Sequence, residues 1–282
     1  MEILALLNKF YIEDHIKAAL KEDIGFGDIT TENLTDGTEK LSACLDSRVD
    51  GVLCGTEVFK TVFEILDPTV EVKFYFKDGD KIHKGDKIAD ISGSARAILM
   101  GERLSLNYIQ RMSGIATETN KYQSAIGELK AKVADTRKTT PNFRAFEKYS
   151  VKVGGGALHR FNLSDCAMVK DNHIKFAGSI TNAVKKLRET ISHAHKIEVE
   201  CDTLEQVKEA IAVKADIIML DNMDCETMKE ACKLIDNQAI VEASGNVTLE
   251  SVRKIAECGV DIISTSAIVA KAPTLDLGLD IF

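Results

Sequence analysis

The stretch IEVECDTLEQVKEAIAVKADIIMLDN, residues 197–222, decides the fold class of this chain. Residues 197–199 and 215–220 are mostly apolar and include β-branched side chains, which is typical of buried strands. Residues 204–212 lie between them and carry apolar side chains at helical spacing. The order strand, helix, strand predicts a βα unit whose two strands run parallel.

The same pattern continues on both sides of this stretch. The last four strand starts are about 20 residues apart, which is the spacing of successive βα units. Six or seven such units favour a barrel, because an open sheet more often has a glycine-rich dinucleotide loop after its first strand. The strand-like segments are 131–134, 167–169, 197–199, 215–220, 239–241 and 260–263, and the helical patterns include 180–191, 204–212, 225–235 and 249–258.

The first hundred residues are organised differently. Helical and strand-like segments are grouped without regular alternation, and tight turns punctuate KDGDKIHKGDKIADISG (77–93), so a small α+β domain is predicted. A long helical pattern follows at about 96–126, with Gly114 as a candidate break. In the tail, Leu275, Leu277, Leu279 and Ile281 alternate, which predicts a strand that returns to the first domain. The early segments are helices at 12–22 and 56–66 and strands at 41–49 and 70–76.

Composition excludes several classes of protein. The chain has 36 Lys plus Arg and 44 Asp plus Glu, and its formal net charge of −8 disfavours non-specific nucleic-acid binding. No apolar run approaches the roughly 20 residues of a membrane span, and no signal peptide is apparent. The seven cysteines are odd in number and form no CxxC, so reduced thiols in a cytoplasmic protein are expected rather than a zinc site.

Positively charged side chains follow the first two predicted barrel strands. Arg137 and Lys138 come after the first strand, Arg160 lies in the connecting loop, and Lys170 follows the second strand. In a barrel these residues converge at one mouth. Each pair of cations repels by roughly 4 kcal/mol at about 4 Å for an effective dielectric constant of about 20, so the cluster must bind anions.

Carboxylates and hydroxyls follow the later strands. Glu200 and Asp221 can pair with the cations, bind a ribose diol or hold Mg²⁺. Glu198 and Glu200 share a strand face, and one or both can be simple rim residues. The loops 244–246 and 264–266 offer hydroxyls and N–H groups late in the barrel, where phosphates often bind. The residues therefore predict a phosphorylated ligand with Mg²⁺ and a second anion.

At these residues the sequence resembles the quinolinate phosphoribosyltransferase family. The resemblance implies a seven-stranded α/β barrel over 107–269, an N-terminal α+β sandwich domain over 1–106, and a tail over 270–282 that returns to the sandwich domain. The stretches that carry it are GERLSLNYIQRMSGIAT (101–117), ADTRKTTP (134–141), EKYSVKVGGGALHR (147–160), LSDCAMVKDNH (163–173), IEVECDTLEQ (197–206), IIMLDN (217–222), EASGNVTLE (242–250) and GVDIIS (259–264).

The resemblance also implies a reaction and a quaternary structure. Quinolinate and phosphoribosyl pyrophosphate give nicotinate mononucleotide, pyrophosphate and carbon dioxide, with Mg²⁺, in de novo NAD biosynthesis. Two subunits pair so that Arg103 enters the partner's site. Arg103 from the partner, Arg137, His159, Arg160 and Lys170 are expected to bind quinolinate, and Lys138 to be shared with the phosphoribosyl donor. The expected catalytic residues are Lys138, Glu200 and Asp221, the latter two also holding ribose and Mg²⁺, and the expected 5′-phosphate ligands are Ser244, Gly245, Asn246, Ser264 and Ser266.

Some assignments keep alternatives. His159 alone is more often a structural hydrogen-bond donor, and Arg103 can form a salt bridge within its own helix. The sequence departs from the family pattern at Asn142, Leu158 and Ser266, and Ser266 is the least secure of the phosphate ligands.

Three other functions compete with the family reaction. The first is a related pyrophosphorylase of the same fold that acts on another base, such as nicotinate, although one carboxylate needs fewer cations. The second is a Schiff-base aldolase that uses Lys170, which would need an apolar pocket. The third is a phosphate-ligand sensor, for which the chain carries no extra effector or nucleic-acid module.

Overall fold

The computed structural model describes residues 7–282, and the chain divides into two compact units. Unit 1 contains the described residues up to Asn120, together with Pro141–Gly155 and Ala272–Phe282, and unit 2 contains Lys121–Thr140 and Gly156–Lys271. The sequence analysis placed the boundary at 106/107. Both that position and the division between Asn120 and Lys121 lie within one continuous helix, Ala95–Ile126, which Gly114 does not interrupt.

Unit 1 is an antiparallel sheet packed against helices. Its main sheet has the strand order β12-β1-β5-β3, and a smaller ladder pairs β2 with β4. The elements are α1 (Lys9–Ile24), α2 (Ile29–Leu34), β1 (Lys40–Ser47), β2 (Gly51–Val52), α3 (Thr56–Leu66), β3 (Glu71–Phe74), β4 (Lys81–Ile82), β5 (Lys87–Ser94), the first part of α4 (Ala95–Ile126), α5 (Arg144–Val153) and β12 (Leu277–Ile281).

The core of unit 1 forms where apolar faces of helices and strands meet. Phe59 and Phe63 lie one turn apart on α3, and both are fully buried against the sheet residues Leu45 and Ile91 and against Ile98 of α4. Spacing of four residues places two aromatic side chains on one face of a helix, and period two does the same along a strand. This packing confirms the predicted α+β class of the first domain.

The C-terminal tail is part of unit 1. β12 pairs antiparallel with β1, with Ala43 opposite Ile281 and Ser47 opposite Leu277. The preceding segment passes so close to α4 that a Cβ atom at Gly114 would collide with the carbonyl of Pro273. Gly114 therefore permits the approach of the tail, which explains a glycine in the middle of an unbroken helix.

Unit 2 is built from βα units around a parallel sheet. The strand order is β6-β11-β10-β9-β8-β7, and every pairing is parallel. The elements are β6 (Lys132–Ala134), β7 (Ala167–Val169), α6 (Asp171–Ala177), α7 (Ile180–Thr190), β8 (Ile197–Cys201), α8 (Leu204–Ala212), β9 (Ile217–Asp221), α9 (Cys225–Ile235), β10 (Ile240–Ser244), α10 (Val252–Ala256), β11 (Ile262–Ser264) and α11 (Ala267–Ala270).

The sheet has six regular strands within residues 7–282, and a single parallel bridge between Ala134 and Ala157 adds to it beside β6. The N–H of Ala157 donates to the carbonyl of Val133 at 2.8 Å. The predicted barrel-like α/β class is confirmed, although the seventh strand is represented by one bridge residue. Glycines at 154–156 precede it, and glycine is unfavourable in a regular strand.

Two expectations from the sequence concern membrane-spanning helices and the state of the cysteines. Among residues 7–282, no helix is both long and apolar enough to cross a membrane. All seven cysteines are free thiols.

Candidate active site

A pocket of about 660 Å³ lies at the carboxyl ends of the unit 2 strands. Glu200 of β8, Asp221 of β9, Ser244 of β10 and Ser264 of β11 line it, and so does Lys170, which directly follows β7. This is the end at which α/β barrels carry their active sites. The parallel direction of all strands is what brings residues from distant parts of the sequence to one mouth.

The structure brings the four predicted cations together at this pocket. Arg137, Lys138, Arg160 and Lys170 all line it, and the first two are exposed on the loop after β6. The N–H of Lys138 donates to Oγ1 of Thr136 at 3.0 Å, which shapes that loop as a turn. Nη1 of Arg160 donates to the carbonyl of Cys166 at 2.8 Å, so its guanidinium is fixed within unit 2.

Only part of this positive charge is neutralised by the protein. Nζ of Lys170 lies 2.5 Å from Oε2 of Glu200. Within residues 7–282, Arg137, Lys138 and Arg160 form no ion pair, so the pocket retains positive charge for a ligand with several negative charges. The carboxylate partner and the polar surroundings of Lys170 also differ from the apolar setting that a Schiff-base lysine needs.

The two predicted acidic residues face the same space. Glu200 and Asp221 are both half-buried in the pocket, and Oδ2 of Asp221 accepts a hydrogen bond from Nδ2 of Asn222 at 2.7 Å. Mg²⁺ prefers oxygen ligands, usually one or two carboxylates together with substrate phosphates. The two carboxylates therefore provide oxygen ligands of the type that Mg²⁺ prefers.

The loop after β10 has a backbone that its sequence explains. Gly245 has φ +101°, and a Cβ atom there would collide with the side chain of Asn222. Asn246 has φ 48°, a left-handed conformation that asparagine tolerates better than most residues. Nδ2 of Asn246 donates to Oδ1 of Asn222 at 3.2 Å. Glycine is thus required at position 245, because the side chain of Asn222 lies so close and because φ is positive. The loop presents its main chain to the pocket.

Hydroxyl groups from the next loop complete that side of the pocket. Ser264 and Thr265 are buried, and Ser266 is half-buried directly before α11. All three line the pocket, so the unusual side chain at Ser266 faces the expected phosphate region. At another departure from the family pattern, Asn142 has φ 62°, a left-handed conformation that glycine adopts most readily.

Three side chains, His159, Glu198 and Glu242, lie close together, and we call them the floor cluster; His159 lines the pocket, whereas Glu198 and Glu242 are buried. Nε2 of His159 is 3.3 Å from Oε2 of Glu198 and 3.4 Å from Oε1 of Glu242. Burial, and then the neighbouring Glu198, raise the pKa of Glu242 to about 7. Glu198 is 1% exposed, so it is an interior residue and not part of the rim.

Sequence reasoning missed several residues of the site. Glu242 carried a usable signal, because it lies two residues before Ser244 on one strand and so shares its face. Lys271 carried none, since it follows α11 rather than a strand. The lining residues that were not predicted are Thr136, Met168, Met219, Asn222, Val247, Thr265, Ala267 and Lys271.

Arg103 is the predicted site residue that the pocket lining does not include. It lies exposed on α4, in unit 1. Arg103 forms no ion pair within the described part of the chain, so the alternative of a salt bridge along its own helix is not realised.

The fold and the pocket together define a class: a barrel-like α/β protein with a separate N-terminal sheet domain, whose site is built to receive a polyanionic ligand. Sequence comparison identifies the family. Residues 28–113 match the profile of the quinolinate phosphoribosyl transferase N-terminal domain, and residues 115–280 match that of the C-terminal domain. The chain belongs to the quinolinate phosphoribosyl transferase family.

Individual relatives agree over nearly the whole chain. A probable nicotinate-nucleotide pyrophosphorylase (carboxylating) of Bacillus subtilis is 42% identical over 281 residues, which is 100% of this chain and 94% of the relative. A chloroplastic nicotinate-nucleotide pyrophosphorylase (carboxylating) of Arabidopsis thaliana is 41% identical, over 94% of this chain and 81% of the relative. The crystal structure of NadC from Streptococcus pyogenes superposes with a TM-score of 0.94 and 41% identity, over 98% of this chain and 99% of that one.

Proposed function

We propose that this chain is a decarboxylating phosphoribosyltransferase of NAD biosynthesis. It transfers the phosphoribosyl group of phosphoribosyl pyrophosphate to quinolinate and releases nicotinate mononucleotide, pyrophosphate and carbon dioxide. The observation that carries the proposal is the sorting of charge in the pocket, where four cations that form no ion pair within residues 7–282, two carboxylates and two hydroxyl-bearing loops face one space. Membership of the family supports the same reaction.

The cationic side of the pocket is suited to a pyridine with adjacent carboxylates. Arg137 and Arg160 can each meet a carboxylate with a planar fork of two N–H groups, and Lys170 adds a third positive charge. Lys138 follows Arg137 directly and serves both the carboxylates and the departing pyrophosphate. His159 lines the same wall, but both of its ring nitrogens contact protein groups.

The remaining residues suit the phosphoribosyl donor. Glu200 and Asp221 bind the ribose hydroxyls and stabilise positive charge that develops on the ribose ring. The same two carboxylates would hold Mg²⁺, which supplies charge stabilisation of the pyrophosphate when it is bound. The 5′-phosphate is received through hydroxyl and N–H groups of Ser244, Gly245, Asn246, Ser264 and Ser266.

The chemistry requires little from the protein beyond placement and electrostatics. The pyridine nitrogen attacks C1 of the ribose with its own lone pair, the bond from C1 to the pyrophosphate oxygen breaks, and no general base is needed. The nitrogen becomes positively charged, so it accepts the electron pair that remains at C2 when the 2-carboxylate leaves as carbon dioxide. A proton then replaces the carboxylate at C2.

Product analysis with two bases tests the proposed substrate. The protein is incubated with phosphoribosyl pyrophosphate and Mg²⁺ and either quinolinate or nicotinate, and nicotinate mononucleotide is measured by chromatography. We expect formation from quinolinate at a kcat/KM at least about 100-fold higher than from nicotinate, because one missing carboxylate leaves cations of the pocket without their ligand. Preference for nicotinate would favour the related pyrophosphorylase.

We further propose a homodimer in which Arg103 of one copy enters the site of the other. Arg103 is exposed and free of ion pairs within residues 7–282. Unit 1 also exposes large apolar side chains around α2, namely Phe26, Ile29 and Leu34, and unit 2 exposes Phe176. Clusters of exposed apolar side chains are typical of protein interfaces.

Subunit mixing tests the contribution in trans. Arg103→Ala and Glu200→Ala proteins are each expected to be inactive, and mixing them after reversible dissociation should restore about a quarter of the wild-type activity. Half of the random dimers are then mixed, and each of these has one intact site. Activity that stays at the level of the separate variants would contradict sharing of the site.

The free thiols also fit a reducing compartment, so we propose that the enzyme acts in the cytoplasm.

A further inference from the structure

His159 has protein partners at both ring nitrogens. Nδ1 accepts a hydrogen bond from the main-chain N–H of Arg160 at 2.8 Å, and Nε2 lies 3.3 Å from Glu198 and 3.4 Å from Glu242. The main-chain N–H of His159 donates to the buried carboxylate of Asp135 at 2.9 Å. The imidazole is 9% exposed, so the residue is fixed from several sides.

These partners determine where the imidazole carries its hydrogen. A neutral imidazole has one N–H donor and one lone pair. Because the main-chain N–H of Arg160 can only donate, Nδ1 must carry the lone pair, and the hydrogen lies on Nε2, facing the carboxylates. An imidazolium would place a second N–H against the N–H of Arg160. The geometry therefore favours the neutral ring, which offers no positive charge to the pocket.

The carboxylates of the floor cluster need one more hydrogen. A single Nε2–H faces both Glu198 and Glu242, and Oε1 of Glu242 is buried without a hydrogen-bond partner among residues 7–282. Two ionised carboxylates side by side in the interior repel, so one of them holds a proton. The groups that face Glu242 from neighbouring elements are Glu198 of β8, Ser264 of β11 and Asp135 after β6, and the raised pKa of Glu242 agrees with this assignment.

The same three side chains are close enough to be compared with a metal site. A metal ion at this position would need the lone pair of Nε2 of His159. The bond from Arg160 places that lone pair on Nδ1, on the other side of the ring. The donor geometry therefore fits a shared hydrogen better than a cation.

We propose that His159 is a positioning residue and not a cation that contacts the substrate. Glu198 holds its neutral ring at Nε2, and its Nδ1 fixes the main chain of Arg160. A second bond, from Nη1 of Arg160 to the carbonyl of Cys166, fixes the other end of the arginine. His159 thus aims the guanidinium into the pocket, and only the identity of the ligand that Arg160 receives rests on the proposed function.

The tautomer of His159 can be observed directly. Full-length protein labelled with ¹⁵N-histidine is examined by two-bond ¹H–¹⁵N correlation at a pH of about 6, below the usual histidine pKa of about 6.5. The His159 signals are assigned by their loss in His159→Asn. We expect a neutral ring protonated at Nε2, unchanged when quinolinate is added to saturation. A doubly protonated ring, before or after quinolinate, would overturn the proposal, whether or not the protein has the proposed activity.

Steady-state kinetics give a second, independent readout. His159→Ala removes the acceptor for Arg160 and should raise the KM for quinolinate about tenfold, the equivalent of one displaced hydrogen-bonding group, with the KM for phosphoribosyl pyrophosphate within about twofold. In His159→Asn, Oδ1 can replace Nδ1 as the acceptor, so most of the loss should be recovered. If the ring were a charged contact, asparagine would fail as alanine does, and that result would overturn the proposal.

Discussion

The mouth of the unit 2 barrel and the floor cluster both contain charged side chains, but the charges are accommodated in opposite ways in the two regions. At the mouth, Arg137 and Lys138 are exposed and unpaired within the described residues, so they can bind a ligand without first losing a protein partner. In the floor cluster, Glu198 and Glu242 are buried and depend on His159 and a retained proton. Charged groups that are exposed to the pocket can bind the substrate, whereas the buried charged groups fix the positions of neighbouring side chains.

The largest effect is expected at the mouth. Lys138→Ala should lower kcat by roughly 100-fold or more, and should raise either KM much less, because the lysine interacts most strongly with charge that develops in the transition state. Steady-state kinetics with both substrates would measure this. The free energy of unfolding should not change, because Lys138 is exposed. The matched control is the exposed Lys185 of α7, changed to alanine. An increase in KM alone would contradict the catalytic role.

The second effect concerns geometry rather than charge. Arg160→Lys keeps the positive charge but loses the planar fork, so the KM for quinolinate should rise about 10- to 100-fold. The exposed Arg253 of α10, changed to lysine, serves as the control. Equal affinity for quinolinate in Arg160→Lys would mean that Arg160 acts only as a point charge, and it would weaken the contrast between the two regions.

A third experiment measures the floor cluster by its pH dependence. The pKa of Glu242 is raised in the folded state, so its stabilising contribution is complete at low pH and is lost as pH rises from about 4 towards about 7. Glu242→Gln cannot ionise. At pH 8 it should be more stable than the wild type by about 1–3 kcal/mol, and at pH 5 the difference should be much smaller.

Chemical denaturation at the two pH values would measure these free energies. The exposed Glu226, changed to glutamine, is the control for loss of a carboxylate. A Glu242→Gln protein that is less stable than the wild type at both pH values would show that the ionised form of Glu242 is the native one.

The smallest effect is expected at Lys271, which lines the pocket beside Ser264 and Ser266 and forms no ion pair within residues 7–282. The neighbouring loops offer neutral donors, so this lysine adds a charge for the 5′-phosphate. Lys271→Ala should raise the KM for phosphoribosyl pyrophosphate about three- to tenfold and leave the KM for quinolinate unchanged. An equal increase in the two KM values would show that Lys271 does not belong to the phosphate region.

The regular part of unit 2 could be predicted closely from the sequence. Helices at 204–212 and 225–235 occur as α8 and α9, and each predicted barrel strand overlaps an observed one. Strand and helix periods are strong signals where one face is buried. The sequence could not show that the seventh strand is reduced to one bridge, because a single residue such as Ala157 has no alternation of apolar and polar side chains. The unbroken course of α4 depends on the tail beside Gly114, a contact that is remote in sequence.

The mouth could also be anticipated, because the end of a parallel strand fixes which residues converge. The floor cluster could not, since the sequence EAS at 242–244 does not reveal that Glu242 is 4% exposed or that, in the described part of the chain, its Oε1 has no hydrogen-bond partner. The protonation of a buried carboxyl depends on neighbours from other strands, here Glu198 and Asp135. Local patterns do not carry that information.

The most direct test of the whole account is release of labelled carbon dioxide from quinolinate that carries the label in its 2-carboxylate. Wild-type protein with Mg²⁺ should release the label only when phosphoribosyl pyrophosphate is present, with one pyrophosphate formed per carbon dioxide. Release that is independent of phosphoribosyl pyrophosphate, or no release under conditions in which the folded protein binds both substrates, would contradict it.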